Sequence, residues 1–299
     1  MIGALHVDEL VHPLRELVPR ASSPVRREHR TGGVAANVAR SARRRARASA
    51  DAVRDVVLVT ALGDDADGER LRATLRDEGI DCRARRLSDR PSGRYTVVHD
   101  ARGELHLGLA DTGIVETLSA ASVRAALGEL RPAALVLDAN LSGDCLGELL
   151  GARSCAPGDD PLDGVPRVAM AVSPDKAARL AGRLAQIDLL FCNRREAAAL
   201  TGLDVDAALD ALSDALGALG SRRLVLSDGA APLLVQDGGQ RARIAVPPVT
   251  EALVSVNGAG DALAGATLVH LLAGGDLATA VRESGLPAAR DILLARRAS

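Results

Sequence analysis

The run Ser255-Val256-Asn257-Gly258-Ala259-Gly260-Asp261-Ala262-Leu263-Ala264-Gly265-Ala266 decides how this chain is read. A polar, glycine-rich turn delivers an aspartate to a helix start, and the apolar stretch beyond it lasts to Leu272. Glycines let backbone N–H groups converge with no side chain in the way. A helix N-terminus adds partial positive charge, so the turn is an anion site. An acid fixed beside such a site suits removal of a proton from a hydroxyl while a phosphoryl group is held nearby. The plainer alternative is an N-capped helix whose glycines serve packing.

Composition narrows the classes. The chain has 299 residues, 47% of them hydrophobic, enough for a sizeable core. Tyr95 and Phe191 are the only aromatic residues, so the core is Leu, Val, Ile and Ala, and base stacking on aromatics is excluded as a way of binding nucleic acid. A net charge of −2 gives no global field for polyanions. Lys176 is the only lysine, and Pro174-Asp175 precede it, which excludes a P-loop. Cys82, Cys145, Cys155 and Cys192 are scattered, without zinc spacing or a disulfide framework, which fits a reducing cytoplasm. The N-terminal residues have no signal-peptide pattern. Ala262–Gly275, the longest apolar stretch, is too short to span a bilayer, so no membrane partner is expected.

Short β-branched runs alternate with Ala/Leu/Arg-rich helical patterns. The expected strands are Asp55–Ala61, Ala133–Leu137, Arg167–Ala171, Asp188–Phe191 and Arg222–Leu226. The expected helices are Ala35–Ala48, Asp67–Glu78, Ser119–Leu130, Asp175–Ala185 and Val205–Leu219. Alternation of this kind predicts βαβ units, a doubly wound parallel sheet sandwiched by helices, and ligands at the carboxyl ends of the strands. One region breaks the pattern. Cys82–Arg86, Arg94–Asp100 and Glu104–Ala110 read as three consecutive strands, with Asp100-Ala101-Arg102-Gly103 as a hairpin turn. A small β-sheet lid formed mainly by residues 82–110, with part of 8–30, is expected on a single domain spanning 1–299. The run Arg40, Arg43, Arg44, Arg45 and Arg47 reads as a solvated helix face, and Pro157-Gly158-Asp159-Asp160-Pro161 as a surface loop.

Two further constellations carry chemistry. Thr31-Gly32-Gly33-Val34-Ala35-Ala36-Asn37 is a second glycine-rich turn entering a helix, and Asn37 offers both donor and acceptor to hydroxyls. Asn193-Arg194-Arg195-Glu196 follows a short strand; its amide and acid share one helix face and suit magnesium and its waters. The same pair also reads as a capping box. A Rossmann reading of Gly258-Ala259-Gly260 with Gly265 fails because the third glycine is misplaced and no full βαβ unit follows.

Taken in order, these motifs resemble the PfkB group of ribokinase-like carbohydrate kinases over nearly the whole chain. Gly32-Gly33-x-Ala35-x-Asn37 is similar to the family's first signature, Gly63-Asp64-Asp65-x-x-Gly68 to its G-D-D-x-x-G element, Asn193-x-x-Glu196 to its N-x-x-E motif, and Gly258-Ala259-Gly260-Asp261 to its second signature. Leu17-Val18-Pro19, Tyr95-Thr96-Val97-Val98 with Gly103-Glu104-Leu105, Leu137-Asp138-Ala139-Asn140-Leu141 and Val172-Ser173-Pro174-Asp175-Lys176 resemble the pseudouridine-kinase branch.

The resemblance implies a ribokinase-like fold and ATP-dependent phosphorylation of a primary hydroxyl of a sugar or nucleoside, pseudouridine to pseudouridine 5′-phosphate first. Other sugar or nucleoside kinases, and a catalytically weakened ligand-binding relative, are the alternatives. It implies Asp261 as general base and the amides of Gly258, Ala259 and Gly260 as an anion hole. Asn193 and Glu196 would organise magnesium and ATP, with Ser227, Gly229 and Asn257 near the nucleotide. Asp8, Gly32, Gly33, Asn37 and Asn140 would touch the substrate. The small sheet cannot bury both faces alone, so it needs a partner, either the bound substrate or, in a homodimer, the lid sheet of a second subunit.

The chain departs from the family pattern in places. Ser255 and Asn257 replace Asp and Thr, leaving a monovalent-cation site unsupported; Met170-Ala171 replaces an acid-proline pair, and Pro232 a hairpin glycine. The first strand starts late, so the centre of the sheet is expected to be short.

Overall fold

The computed structural model describes residues 1–18, 20–48, 53, 55–102, 105–151, 162–250 and 257–294. Pro19, the Gly103-Glu104 turn, Cys155, the 157–161 loop and Ser255 lie outside the described residues.

Two strands open the chain, β1 (His6–Pro13) and β2 (Val25–Gly32), followed by helix α1 (Val34–Ala48). A βαβ unit comes next: β3 (Val57–Gly63), α2 (Ala66–Asp77) and β4 (Asp81–Leu87). β5 (Arg94–His99) and β6 (Leu105–Asp111) form a hairpin ahead of α3 (Ala120–Leu127), β7 (Leu135–Asp138), α4 (Gly143–Gly151) and β8 (Arg167–Met170). Then come α5 (Pro174–Ala177), β9 (Leu189–Asn193), α6 (Arg194–Thr201), α7 (Leu209–Ala218) and β10 (Arg223–Asp228). The antiparallel pair β11 (Ala231–Asp237) and β12 (Gln240–Ile244) precedes α8 (Ala259–Leu272), α9 (Leu277–Ala280) and α10 (Leu286–Leu294).

β7 and β8 are buried at every position, and β9 at all but its last. Continuous apolar runs of this sort are the mark of strands covered on both faces. The main sheet runs β12-β11-β10-β9-β8-β7, with β7 to β10 parallel. Ile2 continues it with single parallel bridges to both Leu137 and Val59, and its amide and carbonyl bond Val136 O (2.8 Å) and Asp138 N (3.2 Å). The centre of the sheet is thus one residue of bridging rather than a full strand, in line with the expected short start. One apolar cluster packs under α3 to α7, a second under α8 to α10, and a third joins α1 and α2 to β3.

Two expectations are corrected. Cys82–Arg86 does not belong to the small sheet: β4 pairs in parallel with β3, from Val57↔Asp81 to Gly63↔Leu87. α2 is the crossover between them, and a parallel return strand after a crossover helix is the usual outcome of such a unit. The arginines that make β4 look like a lid strand reflect its edge position. The small sheet is instead β2-β1-β5-β6, with β1 antiparallel to β2 and parallel to β5. The helix expected over Asp175–Ala185 is one turn, α5, followed by 3₁₀ turns at Ala178–Leu180 and Leu184–Gln186, with Gly182 at φ +73° ending the run.

The Gly63-Asp64-Asp65-x-x-Gly68 element ties the two sheets together. Asp65 caps α2 by accepting from Gly68 N (2.7 Å). It also accepts from Ser92 N and Ser92 Oγ, both at 2.7 Å, just ahead of β5. These bonds hold its carboxyl below the usual range against the opposing effect of burial.

Candidate active site

α8 starts at Gly258, whose φ of +84° turns the chain into the helix; no side chain caps that end. Its first amides therefore have no intrahelical acceptor. Asp261 sits in this first turn. α8 crosses α1 at close range because small residues meet there. A Cβ on Gly265 would lie 2.4 Å from Val38 O, and Ser41 Oγ donates to Ala262 O at 2.6 Å. The crossing brings Asn37 Nδ2 within 2.9 Å of Asp261 Oδ2, across 224 residues of sequence.

The start of α1 is fixed from behind by Asp138, at the end of β7. Its Oδ2 accepts from Ala4 N (2.9 Å) and Ala35 N (3.0 Å), and its Oδ1 from Asn140 N (3.0 Å). Asp138 is fully buried, and burial raises its pKa. Gly33 lets the chain pass: at φ +107° its Cβ position is 2.3 Å from Ala4 O. These contacts make Asp138 a positioning residue for the site. Its segment is visible in the sequence, but its role is not, because Ala4 and Ala35, its partners from distant segments, offer it only backbone amides.

Asp261 has its pKa pushed up to about 7. Burial is the largest cause; the Asn37 hydrogen bond opposes it, and the negative charges of Asp138, Glu196 and Asp8 add to it. A carboxyl with that proton affinity is matched to accepting a proton near neutral pH.

Two clefts share Asn257 and Gly258; Asp261 lines the first, and its partner Asn37 lines the second. The first, of about 300 Å³, opens at the carboxyl ends of β8, β9 and β10 and is lined by Val172, Phe191, Asn193, Glu196, Ser227 and Asp261 among others. The second, of about 290 Å³, lies under the small sheet and is lined by Asp8, Leu10, Arg30, Asn37, Arg40 and Arg44 among others.

Asn193 and Glu196 form the capping box of α6. Asn193 N donates to Glu196 Oε2 (2.9 Å), Asn193 Nδ2 to Glu196 Oε1 (2.7 Å), and Glu196 N to Asn193 Oδ1 (3.0 Å). The capping box is what the structure shows, and the box faces the first cleft. Each carboxylate oxygen accepts one bond and keeps a lone pair for a metal-bound water. The donor set therefore fits magnesium held through water by phosphate oxygens. No group of three or more acids, histidines and cysteines among the described residues makes a direct metal cage.

The remaining expected residues divide. Ser227 is the strand partner of Asn193 and reaches the first cleft. Gly229 is an exposed turn residue at φ +59° and lines neither cleft. Asp8 lines the second cleft, with Gly32 against its carboxylate: a Cβ there would lie 2.2 Å from Oδ1. Asn140 is buried, its side-chain oxygen accepts from Lys176 Nζ, and it lines neither cleft. The arginine run is not a uniform solvated face: Arg40 and Arg44 line the second cleft, while Arg40 also grips Glu78 and Arg45 donates to Ser284 Oγ. The spacing of Asn37, Arg40 and Arg44 on α1 is the signal that finds them.

Comparison with known proteins agrees with this geometry. The pfkB family carbohydrate kinase family matches residues 5–285. The bifunctional protein HldE of Nitrobacter hamburgensis is 31% identical over 96% of this chain, and the chain spans 58% of that relative's length. A carbohydrate kinase from Agrobacterium tumefaciens superposes with a TM-score of 0.81 at 29% identity, over 99% of this chain and 90% of that one. The ribokinase of Thermotoga maritima shares the fold, with a TM-score of 0.77 at 18% identity over 96% and 90% of the two chains. With the family model matching residues 5–285, the chain belongs to the PfkB family of carbohydrate kinases, phosphotransferases that act on an alcohol group.

Proposed function

We propose that this kinase moves the γ-phosphoryl group of ATP onto a primary hydroxyl of a small sugar or nucleoside held in the second cleft. The observation that carries the reading is Asp261, which lines the first cleft and is bonded at 2.9 Å to Asn37, which lines the second. Asp261 takes the hydroxyl proton as the substrate oxygen forms its bond to the γ-phosphorus. The bond from that phosphorus to the β,γ-bridging oxygen breaks, and ADP leaves with its electron pair. The free amides of Gly258, Ala259 and Gly260 stabilise the charge on the transferring group. Magnesium, when bound, neutralises the phosphates, and Asn193 and Glu196 orient its waters. Asp8 and Asn37 hold substrate hydroxyls, with Gly32 and Gly33 giving them room.

The small sheet serves as the lid, excluding water that competes for the phosphoryl group. Its outer strand exposes Leu107 and Leu109 on one face, with Leu105 exposed beyond a bulge, an apolar edge that supports pairing with a second copy. The free thiols at Cys82, Cys145 and Cys192 support a reducing compartment.

Pseudouridine remains the specific nucleoside to test, on the strength of the sequence segments above. A catalytically weakened relative is the second reading, favoured by Met170 in the first cleft where the family carries an acid. ADP release measured across a panel of sugars and nucleosides tests both. Acceptor-dependent release supports the kinase. ATP and acceptor binding without release supports the weakened relative.

A further inference from the structure

Asp261 stands in a helix turn that does not hold itself. α8 begins at Gly258 with no side chain capping its end, and an uncapped first turn frays. The acid nevertheless meets Asn37 at 2.9 Å, so the turn is kept in place from outside α8. The inference drawn from this rests on the reading of Asp261 as general base and deepens it.

The neighbouring helix supplies the hold. Asn37 and Ser41 are four residues apart on α1, hence on one face, and their partners Asp261 and Ala262 are consecutive in the first turn of α8. Ser41 is buried, and its Oγ donates to Ala262 O at 2.6 Å. One turn further along the same stripe, Arg45 Nε donates to Ser284 Oγ, which also bonds His270 Nδ1 of α8 at 2.9 Å. The helices are too close for water to replace the Ser41 hydroxyl: a Cβ on Gly265 would lie 2.8 Å from Ser41 Cβ and 2.9 Å from Ala42 N.

Ala262 O does not need Ser41 for its own sake. Inside a helix it already has the amide four residues on. A second donor on a carbonyl that is served within its own helix points to placement of the turn, not to relief of a buried polar group.

We propose that Ser41 is a positioning residue for phosphoryl transfer, tying the first turn of α8 to α1 so that Asp261 stays on Asn37. The groups that face Asp261 are Asn37 from α1, Asp8 from β1, Asp138 from β7 and Glu196 from α6. Burial and the three acids favour the protonated base, and the Asn37 donor opposes them. A first turn that slips from α1 loses that donor, and the base then keeps its proton to higher pH.

Ser41→Ala tests this, with Ser213→Ala as control. Ser213 is also buried, bonds Gln236 Oε1 at 2.8 Å and sits on α7, lining neither cleft. Both variants should lower the thermal midpoint by a few degrees. With the best acceptor of the panel above, kcat/KM at pH 6 should fall about tenfold in Ser41→Ala, the worth of one charge-assisted bond, and the deficit should close towards pH 9. KM for ATP should change less than about twofold, since the bond at stake is made by the base and not by the nucleotide. Ser41→Cys, which keeps a weaker donor, should recover part of the loss. Carboxyl 13C titration by NMR, assigned against Asp261→Asn, reads the base without turnover: its midpoint should rise in Ser41→Ala and stay put in Ser213→Ala. A native midpoint and a native pH limb in Ser41→Ala overturn the inference and leave Asp261 standing as the base. An equal rise in Ser213→Ala overturns it too, because general loosening would then suffice. If no acceptor supports ADP release, the base reading falls, and the Asp261 midpoint decides the role of Ser41 alone: a rise confined to Ser41→Ala upholds the tie, and no rise overturns it.

Discussion

Asp261→Asn separates the chemistry of this site from its stability, because the structure makes the two move in opposite directions. In the folded protein the Asp261 pKa is pushed up to about 7 from 3.8, chiefly by burial and further by the charges of Asp138, Glu196 and Asp8. A carboxyl that holds its proton more tightly when folded favours the folded state only where that proton is bound. Its ionisation therefore drains stability as pH rises from about 4 to about 7, and the loss is complete above that window. At about 1.4 kcal/mol per pH unit, the full rise corresponds to about 4 kcal/mol, an upper bound because cleft water screens the charge. Asparagine has the same shape, can still accept from Asn37 Nδ2, and never ionises.

The variant should consequently lose turnover by about 10²–10⁴-fold, the range for a general base. It should also be more stable than the native protein at pH 8 by up to a few kcal/mol, and no more stable at pH 3.5. Urea unfolding at pH 3.5, 5, 6.5 and 8, alongside ADP release at pH 8, measures both. In the native enzyme, kcat/KM should fall about tenfold per unit below pH 7 as the base becomes protonated. Near-normal turnover in the variant would refute the catalytic role. A stability difference independent of pH would refute the electrostatic reasoning even if turnover is lost.

Other expectations follow from single contacts. Asn37→Ala should weaken the acceptor more than ATP, since Asn37 lines only the acceptor cleft; separate titrations of the two ligands check it, and an equal loss removes Asn37 from the acceptor site. Gly33→Ala should cost about 2 kcal/mol or more in urea unfolding, because its Cβ would meet the Ala4 carbonyl at a φ of +107°. Gly32→Ala displaces only the Asp8 side chain, so it should raise the acceptor KM with a smaller change in stability; the reverse order would sink this account of the two glycines. Amide exchange in β1, β2, β5 and β6 should slow when acceptor is added, and exchange there that ignores a bound acceptor would make the small sheet merely structural.

The parts of the molecule legible in the sequence are those whose cause is local. The buried strands read as apolar runs, α1 and α2 as periodic patterns, and the Gly258–Asp261 turn as glycine chemistry beside an acid. Asn193 and Glu196 read correctly as a capping box because the box closes within four residues. What failed is what a distant partner decides. β4 carries the polar pattern of a lid strand, and only its pairing with β3 across the α2 crossover makes it a core-sheet edge. Asn140 looks like a substrate contact until Lys176, 36 residues on, takes its oxygen. Asp138 gives no sign of its role, since Ala4 and Ala35 contribute nothing but amides.

The arginines of α1 show the same divide within one helix. Their number is plain in the sequence, but their partners are not: Arg40 is clamped by Glu78 at the end of α2, Arg47 reaches the Glu78 carbonyl, and Arg45 reaches Ser284. The acid proposed as the base could be found in the chain because Asp261 and its glycine-rich turn are adjacent in sequence. Local chemistry is therefore read from one turn of helix, whereas the lining of the second cleft is assembled only once β1, β2 and α1 have been brought together.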